Sequence, residues 1–211
     1  MRAMQRTNTP RQAGSVPGVA SREAMERLRD YAALLLRWNA AINLVGRADA
    51  AGAVWERHVA DCLRLLPLMP EGAAAATDLG SGAGLPGLVL AIASGVPFAL
   101  VESDRRKAAF LVEAARVTAA PVTVHCARIE AVQLAPAPLV TARALAPLPR
   151  LLGYAAPLLA PGGTCLFPKG AGADAEIADA QRQGWRFALD RHNDPAVPGS
   201  TILRLWDLAR A

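Results

Sequence analysis

Apolar and polar positions divide this chain into two stretches with different periods. From Ser21 onward, Leu28, Tyr31, Leu34, Leu35, Trp38 and Ile42 recur at helical spacing, and Glu23, Glu26, Arg27, Asp30 and Arg37 take the opposite face. This predicts an amphipathic helix with Ser21 as N-cap, ending around Asn43 to Gly46. A second helix is predicted over about 50–68, with Val54, Cys62 and Leu65 along one side and Pro67 and Pro70 closing it. From residue 73 the pattern alternates strand and helix. Strands are predicted at 75–79, 98–102, 121–125, 139–142 and 164–167. Helices are predicted at 86–94, 104–117, 148–159 and 173–183, with a short one after Arg128 and a turn at Pro161-Gly162-Gly163. Two last strands, 185–191 and 201–206, are joined by the turn-rich stretch Asn193 to Ser200 instead of a helix, which predicts an antiparallel edge hairpin. The alternation predicts an α/β fold, a mostly parallel sheet wound on both faces.

The chain therefore reads as a disordered basic tail over 1–20, a helical extension over 21–72 and an α/β domain over 73–211. The tail contains Arg2, Arg6 and Arg11, no acid, and no apolar core of signal-peptide length. There is no internal repeat.

Composition narrows the class. Hydrophobic residues make up 53% of the chain, which excludes a wholly disordered protein. The longest apolar stretch, 151–168, is interrupted by Pro157, Pro161 and glycines, so no membrane span is predicted. Cys62, Cys126 and Cys165 lie far apart without a CxxC pair, which argues against a zinc site or disulfide framework and for a reducing, cytoplasmic setting. The formal charge is +5, and residues 1–70 hold ten arginines against six acids. Only Lys107 and Lys169 are lysine. Arginine-rich surface suits phosphate, although a solvated surface explains the same count. The surface otherwise looks ordinary for a monomer.

Chemistry concentrates in Thr77-Asp78-Leu79-Gly80-Ser81-Gly82-Ala83-Gly84-Leu85-Pro86-Gly87. An apolar strand runs into four glycines within eight positions and then into a helix start. Such a turn presents bare backbone and free helix N–H groups to a nucleotide-type ligand. Two ligands compete. Gly82-x-Gly84-x-x-Gly87, with Glu102 twenty residues after Gly82, matches a dinucleotide fingerprint. Yet the loop begins at Gly80, directly after the acidic Asp78. An acid there suits the ammonium of S-adenosylmethionine and repels a pyrophosphate. No second domain is present to hold a dehydrogenase substrate. The loop therefore favours S-adenosylmethionine, with Glu102 on the ribose hydroxyls.

Ligands of open α/β sheets sit at the carboxyl ends of the strands. After the third strand comes Ala127-Arg128-Ile129-Glu130, where Ile129 suits an adenine face and the backbone at Glu130 its edge. After the fourth comes Thr141-Ala142-Arg143-Ala144, which lacks the Asn/Asp-Pro-Pro-aromatic turn of amine methyltransferases and a Pro-Cys nucleophile. Arg143 cannot be a general base at neutral pH but can grip phosphate or guanine acceptors. Lys169-Gly170 adds a second cation to this rim, and Arg57, His58 and Asp61 share a helix face.

With these pieces in order, the chain resembles the bacterial small-subunit ribosomal RNA guanine-N7 methyltransferases, also called glucose-inhibited division protein B. The pieces are Trp38-Asn39, Asn43-Leu44, Arg57-His58 with Asp61, the glycine stretch 77–87, Glu102-Ser103, Lys107, Phe110-Leu111, Arg128-Ile129-Glu130, Arg143-Ala144, Pro161-Gly162-Gly163 and Lys169-Gly170. They span roughly residues 28–206. Cys62 stands where many members have serine.

The resemblance implies a class I S-adenosylmethionine-dependent methyltransferase fold, a Rossmann-like seven-stranded sheet with an antiparallel last strand. It implies S-adenosyl-L-methionine as cofactor, and a guanine in the 530-loop region of 16S RNA, guanine 527, as target, in naked RNA or the 30S subunit. Cofactor contacts are expected at Gly80, Leu85, Ile129, Glu130 and Arg143 by family pattern, and at Asp78, Gly82 and Glu102 by fold logic. Arg143 and Lys169 are expected to orient the guanine without a general base, because N7 carries a free lone pair. Arg57, His58, Arg128 and Lys169 are the expected RNA contacts. A small-molecule methyltransferase, an NAD(P)-dependent oxidoreductase and a non-catalytic RNA-binding factor are the alternatives.

Overall fold

The structure is a computed structural model that describes residues 20–46, 54–193 and 199–211. The predicted tail, apart from Ala20, lies outside the described residues. Seven strands form one sheet: β1 Ala76–Leu79, β2 Phe98–Glu102, β3 Val122–Cys126, β4 Ala137–Ala142, β5 Leu159–Lys169, β6 Trp185–Asn193 and β7 Thr201–Arg210. Their spatial order is β3-β2-β1-β4-β5-β7-β6. The first five run parallel, and β7 is antiparallel to both β5 and β6. This is the predicted doubly wound sheet with its edge hairpin.

Neighbouring residues on one strand enter different cores, as the two-residue period of a strand requires. Leu100, Leu139 and Leu166 face one hydrophobic cluster, while Val101, Val140 and Phe167 face the other. Both faces being covered explains why these strands read as apolar runs without alternation. Helices α5 Leu148–Ala155 and α6 Ala173–Arg182 cover the second cluster. The first cluster is covered by α1 Arg22–Asn39, α3 Gly87–Ser94 and α4 Arg105–Thr118, together with a helical segment, α2, over 55–63.

The extension is thus packed into the same core as the glycine loop. Ser21 caps α1 as predicted, accepting from Ala24 N at 3.1 Å. Tyr31 and Trp38 lie against Phe110 of α4, with centroids 6.4 and 5.7 Å away. Each such burial contributes about 1.5–3 kcal/mol. Arg27 donates to Ile92 O and Thr118 O, carbonyls in the last turns of α3 and α4, where a cation complements the helix dipole.

Three predicted boundaries move. Helix α1 stops at Asn39, short of Asn43, because Asn39 Oδ1 accepts from Leu44 N and Val45 N and turns the chain. The second helix is irregular: α2 is a π-helical stretch, Trp55–Ala60, running into Asp61–Leu63, and a 3₁₀ turn follows at Leu66–Leu68. Residues 50–53 of that prediction lie outside the described residues. Helix α5 is α-helical to Ala155 and continues as a 3₁₀ turn over Ala156–Leu158, close to the predicted end, but β5 begins at Leu159, so the predicted turn at 161–163 is a bulge inside a strand. The predicted short helix after Arg128 is the 3₁₀ turn Ile129–Ala131.

Candidate active site

All four residues of β1 are buried, and the chain leaves the sheet at Gly80 with φ +63°. A Cβ on Gly80 would lie 2.5 Å from Leu145 Cδ1, so the loop after β4 rests directly on the glycine turn. The turn is fixed from three sides. Gly84 N donates to Ser81 O at 2.6 Å, Ser81 N to Val101 O at 3.0 Å, and Tyr31 OH to Ala83 O at 2.7 Å. Tyr31 is fully buried, and burial raises its hydroxyl well above the ordinary range, so it stays a donor. Tyr31→Phe leaves Ala83 O without that donor, which should cost about 1–3 kcal/mol. Thermal melts should show a midpoint several degrees lower, at about 2–4 °C per kcal/mol for a chain this long.

Asp78 does not meet the ligand space. Its side chain is fully buried in β1 and accepts from Thr141 Oγ1 of β4 at 2.6 Å. The expected direct contact with an ammonium therefore gives way to a carboxylate sealed beneath the loop. Burial pushes its pKa from an ordinary 3.8 up to about 6, against the pull of the hydrogen bond from Thr141, and Oδ2 is buried without a hydrogen-bond partner among the described residues. The folded protein thus holds a proton between pH 3.8 and about 6 that the unfolded chain has lost. Stability contributed by protonated Asp78 is full below that window and falls as pH rises through it, by on the order of 3 kcal/mol. Asp78→Asn should accordingly raise the urea midpoint at pH 7.5 and lose that advantage near pH 4.

Two cavities open above the strand ends. One, of about 370 Å³, is lined by Gly80, Gly82, Glu102, Arg128, Ile129 and Glu130, with Arg150 and Tyr154 at its edge. Glu102 is held there by two backbone donors, Gly82 N at 2.8 Å and Asp104 N at 2.7 Å. Each carboxylate oxygen keeps a further acceptor site for a hydroxyl. Glu130 Oε1 accepts from Tyr154 OH at 2.9 Å, and Tyr154 OH accepts from Arg150 Nε at 2.6 Å. Of the residues predicted for the cofactor, Leu85 does not line this cavity and packs against the first hydrophobic cluster.

The other cavity, of about 440 Å³, is lined by Asp61, Arg143, Lys169, Gly170, Glu176 and Ser200. Ala144, Leu145 and Ala146 line both, so the β4–α5 loop is a shared wall. Arg143 reaches across from β4 to α2. Its guanidinium donates to Arg57 O at 3.3 Å, His58 Nδ1 at 3.1 Å and Cys62 Sγ at 3.6 Å, and lies 3.5 Å from Asp61 Oδ2. Accepting from Arg143 makes His58 Nδ1 the unprotonated ring nitrogen. Burial pushes the Cys62 thiol up to about 12, so it meets Arg143 neutral and is no nucleophile. The π-helical stretch supplies Arg57 O and His58, and the α-helical turn after it Asp61 and Cys62, so four acceptors surround one guanidinium. Arg57 contributes its carbonyl to this cluster, and its side chain is exposed.

Lys169 lines the larger cavity as a second cation, as the sequence predicts, but it is paired. Its side chain is 10% exposed and its Nζ donates to Glu176 Oε2 at 2.7 Å and Ala146 O at 2.9 Å. Arg128 and Arg150 are exposed cations lining the smaller cavity.

Residues 24–193 match the family model described as rRNA small subunit methyltransferase G. The chain belongs to this family. It is 57% identical to a ribosomal RNA small subunit methyltransferase G of Acidiphilium cryptum, over 94% of this chain and 97% of that protein. It is 52% identical to one of Paramagnetospirillum magneticum, over 90% and 92%. Among solved structures, an O-methyltransferase from Bacillus cereus in complex with SAH shares the fold, with a TM-score of 0.56 at 14% identity over 83% of this chain and 90% of that one.

Membership in the methyltransferase G family sets aside the dinucleotide reading of the glycine loop. The structure gathers the predicted Gly80, Gly82, Glu102, Arg128, Ile129 and Glu130 around the smaller cavity and sets Arg143 and Lys169 in the larger one. Sequence reasoning missed Tyr31, Thr141, Leu145 and Glu176, whose partners are distant along the chain. Only Tyr31 gave a signal, as a hydroxyl placed on an otherwise apolar helix face.

Proposed function

We propose that this chain transfers a methyl group from S-adenosylmethionine to N7 of a guanine in 16S ribosomal RNA, the guanine 527 suggested by resemblance. The observation that carries the reading is the pair of cavities sharing the Ala144–Ala146 wall, one lined by Glu102 and Ile129 and the other by Arg143. The residues of the smaller cavity fit the cofactor. Anchored Glu102 offers acceptors for ribose hydroxyls, Ile129 an apolar face for adenine, and Gly80 and Gly82 bare backbone for the amino-acid end. Asp78 acts on that end through its field from beneath the loop.

The bound cofactor supplies an electrophilic methyl group. The chain's own work is alignment, because guanine N7 needs no base to expose its lone pair. Arg143 and Lys169 orient the guanine from the larger cavity, while His58, Arg57 and Arg128 face the surrounding RNA. Residues 21–72 serve as the extension that supplies Tyr31, His58 and Asp61 to the site. The protein works in the cytoplasm on RNA, with affinity falling steeply as salt rises.

The test is methyl transfer from labelled S-adenosylmethionine to naked 16S RNA and to 30S subunits from a strain lacking the gene, with mass spectrometry locating the product. The expected product is one 7-methylguanine in the 530-loop region. Label in a pyrimidine, in an exocyclic amine or in no RNA at all would overturn the reading.

A further inference from the structure

Glu176 is the one carboxylate of the larger cavity with an oxygen left over. Its Oε2 accepts from Lys169 Nζ and from Leu148 N, each at 2.7 Å, whereas Oε1 has no hydrogen-bond partner among the described residues. Asp61, the other carboxylate there, has Arg64 on Oδ1 at 3.0 Å and Arg143 on Oδ2 at 3.5 Å. Lys169 Nζ spends two of its three protons on Glu176 and Ala146 O, which leaves one. The pair is held where the end of β5, the first turns of α6 and the β4–α5 loop meet, so its geometry does not depend on a ligand.

We propose that Lys169 and Glu176 together read the Watson–Crick edge of the target guanine. This inference rests on the proposed guanine-N7 methylation and adds the residues that select the base. Along that edge guanine presents an acceptor, O6, beside two donors, N1–H and the 2-amino group. Lys169 offers a donor for O6 and, next to it, Glu176 Oε1 offers two lone pairs, one for N1–H and one for the 2-amino group, in the matching order. Adenine presents the reverse order, an amino donor against the ammonium and a ring lone pair against the carboxylate. Both contacts repel, so the pair rejects adenine as well as accepting guanine. Enzymes that act on an extruded base read it through this edge.

The placement also delivers the right atom. O6 lies between N1 and N7 on the purine. Lys169 is bonded to Ala146 O in the wall shared with the smaller cavity. A guanine whose O6 is held there has N7, the next acceptor around the ring, on the side of that wall. Arg143, which lines the same cavity, orients the guanine from the α2 side.

The experiment uses 30S subunits reconstituted with 16S RNA that carries either guanosine or inosine at the methylated position. Inosine keeps O6, N1–H and N7 and lacks only the 2-amino group. For the wild-type enzyme, kcat/KM should be about 5- to 100-fold higher on guanosine, the discrimination of a good paired contact. In Glu176→Ala the preference should collapse to near unity, and in Glu176→Gln, which still accepts from Leu148 N, it should fall part of the way. S-adenosylmethionine affinity by calorimetry should stay at the wild-type value in both. A role confined to positioning Lys169 lowers both rates by one factor and leaves the ratio intact, and that outcome overturns the inference. Should Glu176→Ala fail to fold, the ratio measured for Glu176→Gln decides alone. Absence of any N7 methylation by the wild-type protein would sink the underlying function, whereas N7 methylation with an unchanged ratio sinks only the edge reading.

Discussion

Replacing Arg143 with alanine should lower methyl transfer to 16S RNA by about 100-fold or more while the protein stays folded. The side chain is 21% exposed, and its partners are three side chains and a carbonyl of α2, of which Asp61 lines the cavity and Cys62 is buried beneath it. None belongs to the interior of the sheet. Asp61 keeps Arg64 at 3.0 Å when Arg143 is removed, so no buried charge is stranded. The loss should fall mainly on kcat, because the guanidinium holds α2 against the loop that separates the two cavities. Arg143→Lys should recover little, since an ammonium cannot span His58, Arg57 O, Asp61 and Cys62 with a fork of donors. Single-turnover rates on 30S subunits, alongside melting curves and cofactor titrations, make the check. Wild-type turnover by Arg143→Ala would remove Arg143 from the reaction.

Much of this fold was legible because its information is local. Strands β1, β2 and β4 announce themselves as short apolar runs, and Ser21 as a cap ahead of a helical period. The boundaries that moved did so through tertiary or side-chain hydrogen bonds that no period records. Ile42 continues the apolar rhythm of α1, but Asn39 has already taken Leu44 N and Val45 N. The bulge at Pro161–Gly163 reads as a turn because glycine and proline mark both.

The same division runs through the site. Gly80, Glu102, Ile129 and Arg143 sit at strand ends, where the fold itself says a ligand binds. Asp78 also sits there, but its accessibility depends on what covers it, namely Thr141 and Gly87. Lys169 was visible as a cation, and its neutralisation by Glu176 was not, because seven residues of strand end and loop separate them. Residue type and strand position gave the chemistry available. Pairing decided which groups remain free to use it.

Gly87→Ala should be among the most damaging glycine-to-alanine changes at the described residues, costing on the order of 3 kcal/mol and lowering the melting midpoint by roughly 6–12 °C. Gly87 opens α3 where the helix crosses β1. An added Cβ would lie 2.4 Å from Asp78 Cβ and 2.7 Å from both Asp78 Cγ and Leu100 Cδ2. Neither neighbour is the loose end of a flexible side chain. Asp78 is fixed in the central strand and bonded to Thr141, and Leu100 is fully buried in β2. Relief therefore requires α3 itself to move off the sheet, and Leu88 N is bonded to Gly84 O, so the glycine turn must move with it. Cofactor affinity should fall together with stability, a coupling that calorimetry and thermal melts on one preparation can read. Gly172→Ala is the matched control: its φ is −80° and nothing lies within 4 Å of an added Cβ, so its stability should stay within about 0.5 kcal/mol of wild type. If Gly87→Ala melted with that control, α3 would have to slide away from β1 at no cost, which a close-packed interface does not permit.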